Sequence, residues 1–284
     1  MNPVKINIHA ADGTALALWH LQPKGTSLGK HLFISHGTFS NKDICLPLAQ
    51  SFADRGYDCY ILEWRGHGDS ETPKTKFDLE TVALQDYPAA FAYLFDNRGI
   101  DKISTLTHSG GGLCLAMCLI KHPEYLCRIR TSLLFACQGF GAATSTRAYL
   151  KILMGKWAAK IMGFIPGPLN GLGPHNETYH FMRPWFQWNL KRKFYGAQNF
   201  DYGKRLPKIN YPILSLAGTG DHFIAPEQGC REFLEAFENP NNQLQLCGIA
   251  EGFSEDYDHA RVFLSSTAAQ EIWPLAQDWI AQNH

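Results

Sequence analysis

Between residues 31 and 247 the chain repeats one pattern: a short apolar run rich in β-branched and aromatic residues, then a stretch with helical spacing, then another short run. HLFISHG, YDCYILEW, KISTLTHS, RTSLLFACQG, YPILSLAG and QLQLCG read as strands. Helices are expected near residues 47–55, 83–97, 111–121 and 226–237, with a last one over 268–281. Strands joined through helices return in the same direction, so they form a mostly parallel sheet, and the helices must cover both its faces. Val4–His9 and Ala15–Leu21, separated by Asp12-Gly13, read as an opening hairpin. Ligands are expected at the carboxyl ends of the parallel strands.

The rhythm stops between residues 141 and 206, where prolines, glycines, aromatics and methionines accumulate without a convincing buried strand. The chain therefore divides into a core formed by residues 1–140 and 207–284 and an inserted cap, 141–206. The cap holds Trp157, Trp185 and Trp188, three of the seven tryptophans, and Met154, Met162 and Met182, three of the five methionines. Such residues either line an apolar pocket or pack the cap onto the sheet, and the two roles are compatible.

Charge is distributed unevenly. The whole chain balances 26 basic against 26 acidic residues, which gives no reason to expect nucleic acid as a partner. The cap, however, carries ten basic residues, including Lys191, Arg192 and Lys193, against only Glu177 and Asp201. A basic, aromatic cap suits a lipid surface or an anionic group such as a coenzyme A phosphate, with a plain solvated face as the alternative. Arg147 and Lys151 share one helix face and Lys156 and Lys160 another, so no single basic stripe is expected. The opening residues lack the apolar stretch of a signal peptide or membrane span, and a cytoplasmic place is expected. Cys59, Cys114, Cys118, Cys137 and Cys247 lie in apolar runs and read as reduced core residues. Cys114 and Cys118 have no further ligand at metal-like spacing, so neither a metal nor an organic cofactor is expected.

The chemistry centres on Ser109, in Thr107-His108-Ser109-Gly110-Gly111, between the apolar run 103–106 and the helical run 113–120. A serine hydroxyl is a weak nucleophile; a sharp turn from strand to helix projects it clear of the sheet, and small neighbours let the backbone pass closely. The helix that follows points its N–H groups at the site, where they stabilise negative charge. Such a serine needs a base and a group to orient that base. Asp221, just after YPILSLAG, and His259, in the polar loop after the last strand, are the candidates from the same end of the sheet. His222 is a rival base, Asp256 and Asp258 are rival orienters, and His108 reads as a packing residue. Backbone N–H groups of Thr38 and Gly110 stand where an oxyanion would need donors.

Together these residues resemble the α/β-hydrolase superfamily, in particular serine esterases and lipases of the monoacylglycerol-lipase and acid-lipase type. The resemblance rests on His36-Gly37-Thr38, Arg65-Gly66-His67-Gly68-Asp69-Ser70, residues 107–111, Gly220-Asp221 and the distant His259, together with a stretch holding Asp86 and Pro88. It implies the α/β-hydrolase fold, a Ser109–Asp221–His259 triad and a cap domain, but no particular substrate. Two positions depart from the pattern: Thr107 replaces a glycine, and Glu63 stands where many relatives have aspartate. Arg65 reads as a loop brace.

The expected activity is hydrolysis of carboxylic esters with an apolar acyl or alcohol group through an acyl-enzyme. An acyltransferase or thioesterase would use the same residues, and a ligand-binding receptor of this fold is the alternative outside enzymes.

Overall fold

A computed structural model describes residues 2–284. Eight strands form the main sheet in the order β1-β2-β4-β3-β5-β6-β9-β10. They are β1 (Val4–His9), β2 (Ala15–Leu21), β3 (His31–Ser35), β4 (Asp58–Leu62), β5 (Ile103–His108), β6 (Ile129–Phe135), β9 (Ile213–Gly218) and β10 (Gln243–Cys247). The β1–β2 hairpin is antiparallel and joins β4 antiparallel; every other pairing is parallel. The alternation of side chains across the pleat divides the core into two layers. Phe33, Tyr60, Leu62 and Leu134 join one layer, whereas Leu32, Ile34, Ile61, Leu133 and Phe135 join the other.

Helix boundaries differ from the sequence expectation, most of all at the first helix. The first helix is Lys42–Ala53, not 47–55: Asn41 caps it by accepting the N–H of Asp43, and Pro47 lies inside. Residues 79–97 are helical throughout but include π-helical turns at Val82–Asp86 and Tyr93–Asn97. Pro88 has no N–H to offer a carbonyl one turn back, consistent with the widened turn that ends beside it. The last helix is Ser266–Asn283 and contains Pro274.

Between β6 and β9 no strand joins the main sheet. The segment instead holds two helices, Thr146–Met162 and Tyr179–Lys191, joined through a small antiparallel pair, β7 (Phe164–Ile165) with β8 (Glu177–Thr178). Trp188 is buried, and its indole N–H donates to the carbonyl of Tyr195. Trp157 and Met154 take neither of the two expected roles, lining a pocket or packing on the sheet; they face solvent, 53% and 63% exposed. All eight cysteines are unpaired, and seven are buried. Among the described residues no helix is long and apolar enough to cross a membrane, and no group of three or more metal-ligating side chains comes together.

Candidate active site

Ser109 stands at the junction of β5 with the helix Gly110–Lys121, with φ 52° and ψ −122°. That backbone conformation is costly for a residue with a side chain and persists only where the surroundings enforce it. Two close approaches do so. A Cβ at Gly37 would lie 2.8 Å from Ser109 Cβ, and one at Gly111 would lie 2.6 Å from the carbonyl oxygen of His36. Both positions must be glycine for β3 and the elbow helix to meet. Thr107 does not crowd the turn: it is still part of β5, fully buried, with its hydroxyl 3.4 Å from the Leu133 carbonyl.

The distant partners converge on this serine. His259 Nε2 lies 2.9 Å from Ser109 Oγ, and His259 Nδ1 lies 2.7 Å from Asp221 Oδ2. The loops after β9 and β10 bring Asp221 and His259 together by packing backbone on backbone. Gly220 N–H donates to the Tyr257 carbonyl, and a side chain at Gly218 would collide with that oxygen. Asp221 is buried, and its carboxylate also accepts the N–H groups of Phe223, Ile224 and Ala225. Burial alone raises its pKa, but the hydrogen bond from His259, that ring's charge and the backbone donors together hold it below the usual carboxylate value.

The rivals are occupied elsewhere. Asp256 accepts the Thr219 hydroxyl and the Ile249 N–H, Asp258 caps the turn at Ala260 and Arg261, and His222 is exposed. His108 is buried beneath His259, with its Nε2–H donating to the His259 carbonyl at 3.0 Å and its ring stacked on Phe263. Burial pushes its pKa down to about 3, so it is a neutral packing residue.

Two buried side chains brace the loop that follows β4. Arg65 donates to Asp86 at 2.7 Å and to Asp12 at 2.6 Å, the brace expected of it. Glu63 accepts the indole N–H of Trp19 and the backbone N–H groups of Lys42 and Asp69, and it fills the space beside Gly68. The extra methylene relative to aspartate lets one carboxylate span these three segments.

The N–H groups of Thr38 and Gly110 find no acceptor among the described residues. Both residues border a cavity of about 760 Å³ that also holds Ser109 and His259. Leu79, Leu113, Ile152, Ala159, Met162, Met182 and Trp185 make most of its wall apolar. Sequence reasoning gave no role to His67 or to Glu177. His67 Nε2 lies 2.9 Å from Glu177 Oε1, and both side chains are buried. The one available signal was Glu177 as one of only two acids in a strongly basic segment.

A family model described as "alpha/beta hydrolase fold" matches residues 30–129. No curated protein matches the chain in sequence. Among solved structures, an esterase of Pyrococcus furiosus superposes with a TM-score of 0.64 at 18% identity over 99% of this chain and 92% of its own. An esterase of Exiguobacterium antarcticum gives 0.67 at 16% identity over 98% and 100%. A membrane phospholipase A, a bacterial virulence factor, gives 0.61 at 17% identity over 96% and 86%. At these identities the likeness concerns the fold: the chain has the α/β-hydrolase fold, with a mostly parallel eight-stranded sheet.

Proposed function

We propose that this α/β-hydrolase-fold chain is a serine hydrolase that cleaves carboxylic esters bearing an apolar group, through an acyl-enzyme. The observation that carries the reading is the unbroken chain of contacts Asp221–His259–Ser109 opening into an apolar cavity. His259 Nε2 removes the proton from Ser109 Oγ as that oxygen attacks the ester carbonyl. Asp221 accepts from Nδ1–H, fixing the tautomer and offsetting the imidazolium charge. The N–H groups of Thr38 and Gly110 bind the oxyanion, with donors that need no reorganisation because nothing else claims them. His259 then protonates the leaving alcohol and activates water for deacylation. An ester panel of graded acyl length, run on wild type and Ser109→Ala, tests the reading; product analysis with added alcohol separates hydrolysis from acyl transfer.

The cap adds a second element of this proposal, contact with an anionic lipid surface. The helix Thr146–Met162 is apolar on two faces. Ala148, Ile152 and Ala159 are buried inward, while Leu150, Met154, Trp157 and Ile161, spaced by four, three and four residues, form an exposed stripe. Ile161 is 84% exposed and nearby Leu169 86%. Arg147, Lys151, Lys156 and Lys160 border the stripe, and among the described residues none of them has an ion-pair partner. A second copy of the chain would bring the same positive charge, whereas an anionic bilayer complements it. Met162 and Phe164 continue the apolar surface to the cavity wall, a short route for an apolar substrate.

A further inference from the structure

Phe39 follows Thr38 and adopts φ 63°, a left-handed conformation that a bulky L-residue adopts only under restraint. Both restraints come from the cap. The N–H of Phe39 donates to Glu177 Oε1 at 2.8 Å, and its carbonyl accepts the N–H of His175 at 3.0 Å. The backbones are so close that a Cβ at Gly173 would lie 2.3 Å from the Phe39 oxygen. Glu177 is itself held by His67. The two neighbours of the His67 ring, the Arg65 carbonyl at Nδ1 and the Glu177 carboxylate at Nε2, can only accept hydrogen bonds. The ring therefore carries two protons and pairs with Glu177 as an imidazolium. Burial is the largest single influence and opposes that charge, but the charge of the Glu177 carboxylate, its hydrogen bond and the Arg65 carbonyl together leave the His67 pKa raised.

We propose that Glu177 is a positioning residue for the reaction: by accepting the Phe39 N–H it holds the left-handed turn that presents the N–H of Thr38 to the oxyanion. The inference rests on Thr38 as an oxyanion donor and extends that reading from the core to the cap. The carboxylate lies in β8, outside the elbow and outside both loops that carry Asp221 and His259. A structural clasp alone would change stability without changing turnover per folded molecule. A positioning residue changes turnover and leaves substrate capture nearly intact, because the oxyanion exists only after attack.

The test compares Glu177→Met, which fills the space without an acceptor, with Glu177→Gln, which keeps one. Turnover of a short soluble ester is measured per active site titrated with a fluorophosphonate, so any unfolded fraction drops out. Glu177→Met should lose at least about tenfold in kcat with KM within about twofold, and Glu177→Gln should stay within about threefold of wild type. Wild-type kcat in Glu177→Met, or an equal fall in both variants, would overturn the proposal. Amide exchange across residues 37–40 reads the same contact without turnover: it should accelerate in Glu177→Met and not in Glu177→Gln. If wild type cleaved no ester while exchange followed this pattern, the ester-hydrolase reading would fail and the positioning contact would stand. Unchanged exchange in Glu177→Met would sink the positioning contact itself.

Discussion

Asp221 and His259, 38 residues apart in sequence, meet at 2.7 Å because Gly218 and Gly220 let the loop after β9 lie directly on the backbone of Tyr257. The depressed pKa of Asp221 makes this contact pH-dependent. A carboxylate whose pKa is lower in the folded chain contributes stability that is present above about pH 4, its unfolded value, and is lost as the pH falls through the folded value. Asp221→Asn should lower kcat by on the order of 10³–10⁴-fold. In thermal melts it should be less stable than wild type at pH 7, and that gap should narrow below about pH 4. A gap that widened on acidification would refute the assignment.

His108 supplies a second acid-sensitive element of opposite chemistry. Its folded pKa of about 3 lies below the ordinary histidine value, so the unfolded chain binds a proton that the folded chain refuses. The stability tied to His108 is therefore complete above about pH 6.5 and declines as the pH falls toward 3. Buried His36, whose pKa is driven well down chiefly by burial, acts in the same direction. His108→Phe should flatten the slope of urea midpoint against pH between about 6 and 3. An unchanged slope would remove His108 from the account.

The cavity size predicts chain-length dependence. At about 760 Å³ with a mostly apolar wall, it accommodates an acyl chain much longer than acetyl. Each buried CH₂ contributes about 0.8 kcal/mol, so kcat/KM should climb by up to about fourfold per added methylene from acetyl to hexanoyl esters. Flat activity across that series would count against an acyl site here.

Most of the core was legible in the sequence because its strands obey two strong rules. Runs such as HLFIS and ILSLAG are apolar on both faces, and the elbow at Ser109 sits where strand chemistry gives way to helix. The helix starts were less legible: Asn41 caps the first one, but Pro47 looked like its beginning. Residues 141–206 were the least legible part. Their outward and inward apolar residues alternate on one helix, so composition could not separate Met162, which lines the cavity, from Met154, which faces solvent. Glu177 meets Phe39 across 138 residues, and no local pattern encodes such a contact.

The exposed stripe gives a prediction independent of catalysis. Wild type should sediment with vesicles containing phosphatidylglycerol and much less with neutral vesicles, and high salt should weaken the association. Replacing Met154, Trp157 and Ile161 together by serine should cut partitioning at least about tenfold while kcat on a soluble ester stays near wild type. Equal partitioning of the triple variant would exclude this face.

The central claim is a live nucleophile at Ser109, and peptide mapping after fluorophosphonate treatment tests it most directly. One adduct on Ser109, with ester hydrolysis falling in step with labelling and absent from Ser109→Ala, is the predicted result. Hydrolysis that persists in Ser109→Ala, or a wild type that neither takes the label at Ser109 nor cleaves any ester, would contradict it.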